Sequence, residues 1–464
     1  MSRDLEPPPA GQPGRGKHRE ADRRRRLNPV APARACAYAV VRRVFEQGAW
    51  ADRALHGEAA RRRLDPRDRA LAMRLAYGTV QRVAALDHAI GAMTGRDPAQ
   101  LDPPVRAALR LGVFQLAYLD RVPAHAAVTD SVELVKQDRP RAAGLVNAAL
   151  RRAAREARPL LEALPDATPE QAALRHSHPD WIARLWWDAL GPDAARALMA
   201  ADNEPAEAVI RANTLKIGAQ ELAARLPVEP VPELPEALRL TEPFDAFATP
   251  EWEQGLFMPQ SRAAMAVSRL LDPRPGDAIL DLCAAPGGKT THLAALTGGE
   301  ARIVAVEQHP GRAGALRKTA RRMGAAGVEV RTQDARDFHA PEAYDRVLVD
   351  PPCSDLGTLA SRPDARWRKA GRPAALAPLQ ARILAAGAEA VRPGGTLVYS
   401  TCTISPAENE RVVEDFLAAH PMFTADDLAT VHPVWKHPTM PRTLQTLPHR
   451  DRTDGFFMAR LTRA

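Results

Sequence analysis

Two cysteines follow two apolar runs that end alike, "RVLVDPPCSD" with Cys353 and "TLVYSTCT" with Cys402. Each run is short, rich in Val and Leu and bounded by turn formers, the pattern of a buried strand. Neighbouring strands lie about 5 Å apart, so thiols at the ends of two adjacent strands can flank one planar substrate. A thiol pair of this kind suits methylation at carbon. C5 of a pyrimidine is a poor nucleophile because its electrons are committed to the ring. A thiolate adding at C6 makes C5 enamine-like and able to take a methyl group, so one difficult step becomes two easier ones. The C5 proton must then leave and the thiol be eliminated, which calls for a base beside the adduct. Two thiols meet those demands, and so does a thiol with a carboxylate. A lone cysteine would read as a small buried hydrophobe. Many methyltransferases acting on exocyclic amino groups carry an aromatic residue where Cys353 stands.

A second stretch, "ILDLCAAPGGKTTHLA" from Ile279 to Ala294, ends like a phosphate-binding loop but does not begin like one. That loop needs glycine where Cys283 stands, so that backbone amides can wrap phosphates. The dinucleotide pattern G-x-G-x-x-G is absent as well; only Gly287 and Gly288 are present, side by side. What remains is a strand, a small-residue turn and a helix, the opening of an α/β nucleotide-type fold. The next strand ends in Glu307, whose carboxylate can accept hydrogen bonds from a ribose diol, and Asp334 follows a third strand, within reach of an adenine edge. Together these marks describe an adenosine without a polyphosphate, and S-adenosylmethionine is the cofactor that fits. Glycines that only let a helix pack closely on a strand are the plainer reading.

These residues need a scaffold. The runs "AILDL", "RIVAVE", "VEVRT", "RVLVD" and "TLVYST" alternate with helix-compatible stretches, which predicts a Rossmann-like domain with a parallel sheet over residues 256–464. Residues 1–31, with Arg23 to Arg26, are rich in Pro, Gly and charge and are expected to be a disordered basic tail. Residues 32–158 show helical periodicity, for example Val105, Leu109, Val113 and Leu116 on one stripe, and predict an all-α domain. Residues 159–255 predict a small α/β linker module. It opens with a helix in "SHPDWIARLWWDALG", where Ser177, Pro179 and Asp180 are start signals and Trp181, Trp186 and Trp187 are expected to pack rather than stack on bases. A strand in "AVIRANTLK" and a helix in "GAQELAARL" follow. At 464 residues the chain exceeds one ordinary core, and 64 basic against 56 acidic residues give a net charge of +8, which suits a nucleic-acid partner. The four cysteines show no C-x-x-C pairing, so neither a metal site nor a disulfide framework is expected, and a reducing cytoplasm fits. No apolar run reaches the roughly 18 residues of a membrane span.

"DLCAAPGGKT", "DPPCSDLGTL" and "YSTCT" resemble the motifs of RNA cytosine-5 methyltransferases. "ARACAYAVVRRVFEQG", "LAYGTVQ", "LRLGVFQLAYL", "HAAVTDSVELVK" and "GLVNAALRR" resemble a NusB-like RNA-binding domain, and "RPDARW" and "DGFFMARL" also look like family segments. The combination is similar to the RsmB-type 16S ribosomal RNA methyltransferase family and covers nearly everything after the tail. The resemblance implies Cys402 as nucleophile and Cys353 as the group assisting release, as base or by positioning it. It implies Asp350 between cofactor and base, hydrogen-bonded to the ring edge. Cys283, Ala284, Ala285, Pro286, Gly287, Gly288 and Lys289, with Glu307, Asp334 and Asp350, would bind S-adenosylmethionine. Lys289 could lower a thiol pKa or serve packing. One departure is Asp355, where many members carry glycine; it adds a charge beside the RNA path and leaves the shape of that loop open. The expected partner is RNA, from the small ribosomal subunit, with neither DNA nor membrane, and the chain is expected to be monomeric. A transfer RNA cytosine, an exocyclic amino group, or an antitermination-like module without catalysis are the competing readings.

Overall fold

The computed structural model describes residues 30–242, 244–368 and 373–464; the Arg23 to Arg26 run lies outside them. Seven helices form the first body: α1 (Pro32–Gln47), α2 (Ala51–Arg62), α3 (Pro66–Gln81), α4 (Val83–Thr94), α5 (Pro103–Tyr118), α6 (Ala124–Asp138) and α7 (Ala143–Glu162). Proline opens α1, α3 and α5, where its missing N–H costs nothing, and left-handed Gly48 and Gly95 close α1 and α4. The stripe expected on α5 is only part of its buried surface. Leu111 and Phe114 are covered too, which makes α5 the central helix. A Cβ on Gly78 would sit 2.0 Å from Phe114 Cζ, so glycine in α3 is what lets that ring in. Full burial of Leu109 and Phe114 is worth about 1.5–3 kcal/mol each.

Helices continue through Pro169–His176, Asp180–Leu190 and Pro192–Ala201. Trp186 is fully buried and its Nε1 donates to the Ile404 carbonyl at 3.2 Å, two residues past Cys402. Ser177 does not start its helix. It closes the preceding one at φ 59°, and its hydroxyl accepts from the Ala84 amide at 2.8 Å. A small antiparallel sheet comes next, built from β1 (Val209–Ala212), β2 (Val228–Pro230), β3 (Ala237–Leu240) and β4 (Phe257–Pro259) in the order β2-β3-β1-β4. Arg211 of β1 is fully buried and donates to Gln260 Oε1 at 2.8 Å and Thr291 Oγ1 at 3.0 Å, which fastens this module to the helix after the Gly-rich loop.

The large sheet contains β5 (Ala278–Leu282), β6 (Arg302–Val306), β7 (Val328–Arg331), β8 (Tyr344–Val349), β9 (Val391–Thr401), β10 (Phe423–Ala425), β11 (Leu444–Gln445) and β12 (Phe457–Arg463). Its order is β10-β12-β9-β8-β5-β6-β7, with β11 against β12. The expected parallel pairing holds for β5 to β9 and stops there. β12 inserts antiparallel between β9 and β10, whereas β10, reached from β9 through the helix Glu410–Ala419, keeps the direction of the parallel strands. Strand order reverses between β5 and β8, so the crevice at their carboxyl ends is where such a sheet binds ligands.

Candidate active site at the switch point

The loop after β5 turns sharply. Cys283 adopts a left-handed φ of 65°, uncommon for a residue with a side chain, and Gly287 caps the helix Gly288–Leu296 at φ 102°. A Cβ on Gly287 would stand 2.6 Å from Leu316 Cδ1, so this glycine is required twice, whereas Gly288 is uncrowded. Ala284 and Ala285 are buried and Pro286 is exposed, which leaves a cradle of small groups at the end of β5. Burial, reinforced by Asp350, Asp281 and Glu307, pushes the Cys283 thiol far above its ordinary pKa and keeps it neutral.

Carboxylates stand at the ends of the following strands. Glu307, after β6, is buried, with Oε1 accepting from the His309 amide at 2.9 Å. Asp334, after β7, accepts from the Arg336 amide at 2.9 Å, and the Arg336 guanidinium holds its carboxyl below the usual range. Asp350, after β8, is held on both oxygens: Lys289 Nζ donates to Oδ2 at 2.7 Å and Ser400 Oγ to Oδ1 at 2.9 Å. Burial works against the Lys289 charge, but the Asp350 carboxylate outweighs it and leaves the lysine pKa raised. Lys289 is paired with Asp350, feels the Cys402 charge as well, and has Phe456 against it at 5.0 Å from nitrogen to ring centre.

The two thiols meet. Cys353 Sγ lies 3.3 Å from Cys402 Sγ, on loops that leave adjacent strands β8 and β9. Asp355 joins them, its Oδ1 accepting from Cys402 Sγ at 3.1 Å and standing 4.0 Å from Cys353 Sγ. Its backbone is left-handed at φ 57°, a conformation that favours glycine but that Asp tolerates. The hydrogen bond with Cys353, burial and the Asp355 charge push the Cys402 thiol well above its ordinary pKa, against the pull of Arg362. At rest Cys402 is a thiol.

Sequence reasoning missed the clamp around this loop. Glu408, fully buried and raised in pKa by that burial, accepts from the Ser354 amide at 2.9 Å and from Gln380 Nε2 at 2.9 Å. It also missed how the loop is anchored. Arg366 donates to the carbonyls of Gln81, Ser177, Asp202 and Leu359, Trp367 Nε1 to the Val80 carbonyl at 2.7 Å, and Asp364 accepts from the Ala51 amide. The segment "RPDARW" thus bolts the loop after Cys353 onto the helical body. Beside Gly357 opens a cavity of about 790 Å³ whose walls include Arg239, Arg262, Arg450 and Arg452.

Comparison with known proteins agrees with this architecture. Residues 31–155 match the NusB family, residues 178–246 the RsmF/B-like ferredoxin-like domain, and residues 268–462 the family of 16S rRNA methyltransferase RsmB/F. The chain is 35% identical to the probable ribosomal RNA small subunit methyltransferase B of Synechocystis, over 93% of this chain and 99% of that one. The chain belongs to the RsmB/F family of 16S rRNA methyltransferases. Ribosomal RNA small subunit methyltransferase B of Sodalis glossinidius is 33% identical, over 86% of this chain and 90% of its own. Among solved structures, that of PH0851 superposes with a TM-score of 0.80 at 27% identity, over 94% of this chain and all of that one.

As an RsmB/F member the protein is an S-adenosylmethionine-dependent RNA cytosine-5 methyltransferase. The cradle fits that cofactor. Small residues line the loop, carboxylates stand at the ends of β6, β7 and β8, and Gln260 Nε2, a buried donor beside Gly288, has no protein partner among the described residues. When bound, the cofactor supplies an electrophilic methyl group. Among the described residues no helix is long and apolar enough to cross a membrane.

Proposed function

We propose that the protein methylates C5 of a cytosine in 16S ribosomal RNA through a covalent bond between Cys402 and ring carbon C6. The observation that carries the reading is the thiol pair, 3.3 Å apart and next to an Asp350 carboxylate already held by Lys289 and Ser400. In this reading Cys402 adds to C6 and Cys353 assists loss of the C5 proton and elimination. Asp350 faces the ring edge. The loop from Cys283 to Lys289, with Glu307 and Asp334, holds the adenosine part of the cofactor. An amino-group methyltransferase needs no nucleophile and has no use for two thiols in contact.

The division of the chain at about residues 32, 159 and 256 belongs to the same proposal, with the NusB-like body guiding RNA to the crevice. Not every arginine there is available. Arg110, buried, forms a two-pronged pair with Asp87 at 2.7 and 2.6 Å, so phosphate contacts must come from other residues. In the cavity beside Gly357, Arg262 and Arg450 are likewise taken by Glu207 and Asp451, so RNA flanking the target would meet Arg452 and Arg239 there. One chain carries both thiols and the cofactor cradle, so a monomer suffices, and four free cysteines suit the cytoplasm.

Mapping 5-methylcytosine in small-subunit ribosomal RNA from cells with and without the gene tests this. Loss of one site, restored by the wild-type gene and not by Cys402→Ala, is expected. An unchanged map, or a restored N4-methylcytosine, overturns it.

A further inference from the structure

We propose that Asp355 is the proton acceptor for the Cys402 thiol, taking its proton as the sulfur adds to the cytosine ring and returning it at elimination. The proposal rests on the covalent reading above and adds a residue to it. Three reactive atoms, Cys353 Sγ, Cys402 Sγ and a carboxylate oxygen of Asp355, lie within 4.8 Å of one another. The shortest of their approaches is the Cys402 thiol donating to Asp355 Oδ1 at 3.1 Å.

A protonated thiol does not add to a ring carbon, so its proton needs a destination within hydrogen-bond reach. The groups facing Cys402 leave one good candidate. Asp350 is occupied on both oxygens by Lys289 and Ser400. Cys353, at 3.3 Å, is a weak acceptor as a thiol. Arg362 is a cation and donates to Asp355 Oδ1 at 3.2 Å, which orients that carboxylate; Asp52 and Asp454 act on Arg362 from farther off. Lys289 is spent on Asp350. Asp355 is thus the acceptor in contact.

The backbone is built to deliver it. Asp355 sits at φ 57°, where side chains are rare, and its own carbonyl is capped by the Thr358 amide and hydroxyl, each at 3.0 Å. Two residues on, the Gly357 amide donates to the Cys402 carbonyl at 2.9 Å, which ties this turn to the nucleophile. Aspartate is among the few side chains that tolerate this conformation, so a turn of glycine-like backbone can carry a carboxylate to the thiol here.

The protons balance. The S–H bond of Cys402 breaks toward Asp355 as the S–C6 bond forms, and the C5=C6 pair moves onto C5. C5 takes the methyl group as the methyl–sulfonium bond breaks and its pair stays on the cofactor sulfur, and the C5 proton then leaves to solvent past the Cys353 thiol, which positions the ring. The C5–H pair re-forms C5=C6, the C6–S pair returns to sulfur, and Asp355 gives its proton back. One proton, that of C5, is released per turnover.

Asp355→Asn and Asp355→Gly both tolerate the left-handed backbone, and calorimetric binding of S-adenosylhomocysteine shows whether each variant is folded. Single-turnover methylation would be followed between about pH 6.5 and 8.5. In the wild type the reactive state is thiol plus carboxylate, and the rate is expected to be nearly flat. In both variants it must be free thiolate, so the rate should fall at least about tenfold at the low end and climb about tenfold per pH unit. Alkylation of Cys402 by iodoacetamide, read by peptide mass spectrometry without cofactor or RNA, should move the other way and begin at lower pH, because the carboxylate that opposes ionisation is gone. Variants with the wild-type rate and a flat profile, or with unmoved alkylation, overturn the proposal. A wild type that makes no 5-methylcytosine, or an active Cys402→Ala, overturns the covalent reading beneath it.

Discussion

Replacing Arg366 with methionine should cost several kcal/mol and loosen the catalytic loop together with the helical body. The side chain is 1% exposed, and its two terminal nitrogens donate to five acceptors: the carbonyls of Gln81, Ser177, Asp202 and Leu359, and Asn203 Oδ1 at 2.9 Å. Methionine fills similar volume and leaves all five without that donor, although the Asp202 carbonyl still accepts from Gln81 Nε2 at 3.2 Å. At about 1.5 kcal/mol for each of the other four stranded acceptors the loss is about 6 kcal/mol. Part is recovered, because burial pulls the arginine pKa from 12.5 to about 10, so the fold already holds this ion at a disadvantage. That disadvantage is worth about 3 kcal/mol. The net is about 3 kcal/mol, within the range for breaking a buried charged network. For a unit of this size that lowers the melting temperature by about 10 °C. Urea unfolding and differential scanning calorimetry measure it, with single-turnover methylation alongside. A loss below about 1 kcal/mol would refute the hub as a stabilising element, since the stranded acceptors would then have found other partners.

Two further outcomes follow from the same geometry. A Cβ on Gly357 would lie 1.8 Å from the Gly455 carbonyl oxygen, so Gly357→Ala must displace the turn tied to Cys402; methylation should fall about a hundredfold, or about 3 kcal/mol, while calorimetric cofactor binding persists. Asp281, 1% exposed, has its pKa raised to about 7 by burial, even though Thr290 donates to it at 2.6 Å. A raised carboxyl stabilises the fold fully only below its unfolded pKa near 4, and that stability drains away as pH climbs through 7. Between pH 5 and 8 the wild type should therefore lose about 2–3 kcal/mol that Asp281→Asn keeps, as read by urea unfolding at each pH.

Strands β5 to β9 were legible because each is a short apolar run beside a helix-forming stretch, and the two cysteines were legible because both follow such runs directly. The antiparallel edge was not. "FFMARLTR" has the pattern of any buried strand, and nothing local states its direction. Arg366 reads as one arginine among many, and its partners Gln81 and Asp202 lie 285 and 164 residues away. Ser400 at the end of β9 and Glu408 beyond it were missed for the same reason, since a polar residue there carries no sign of which amide or carboxylate it will meet. Arg110 stands between the apolar positions of α5, and only the packing of α4 against α5 shows that Asp87 takes it. The loop shape left open by Asp355 is a left-handed turn that keeps a glycine-like backbone and adds a carboxylate to the thiols.

The central claim is that Cys402 bonds to the substrate and Cys353 helps to break that bond. Denaturing electrophoresis of protein incubated with cofactor and labelled small-subunit ribosomal RNA tests it directly. Cys353→Ala should accumulate protein joined to RNA, and the band should be absent from Cys402→Ala and from the double variant. A band in Cys402→Ala but not in Cys353→Ala would place the nucleophile after β8 instead of β9. The absence of a band from every variant, with methylation intact in Cys402→Ala, would contradict covalent catalysis altogether.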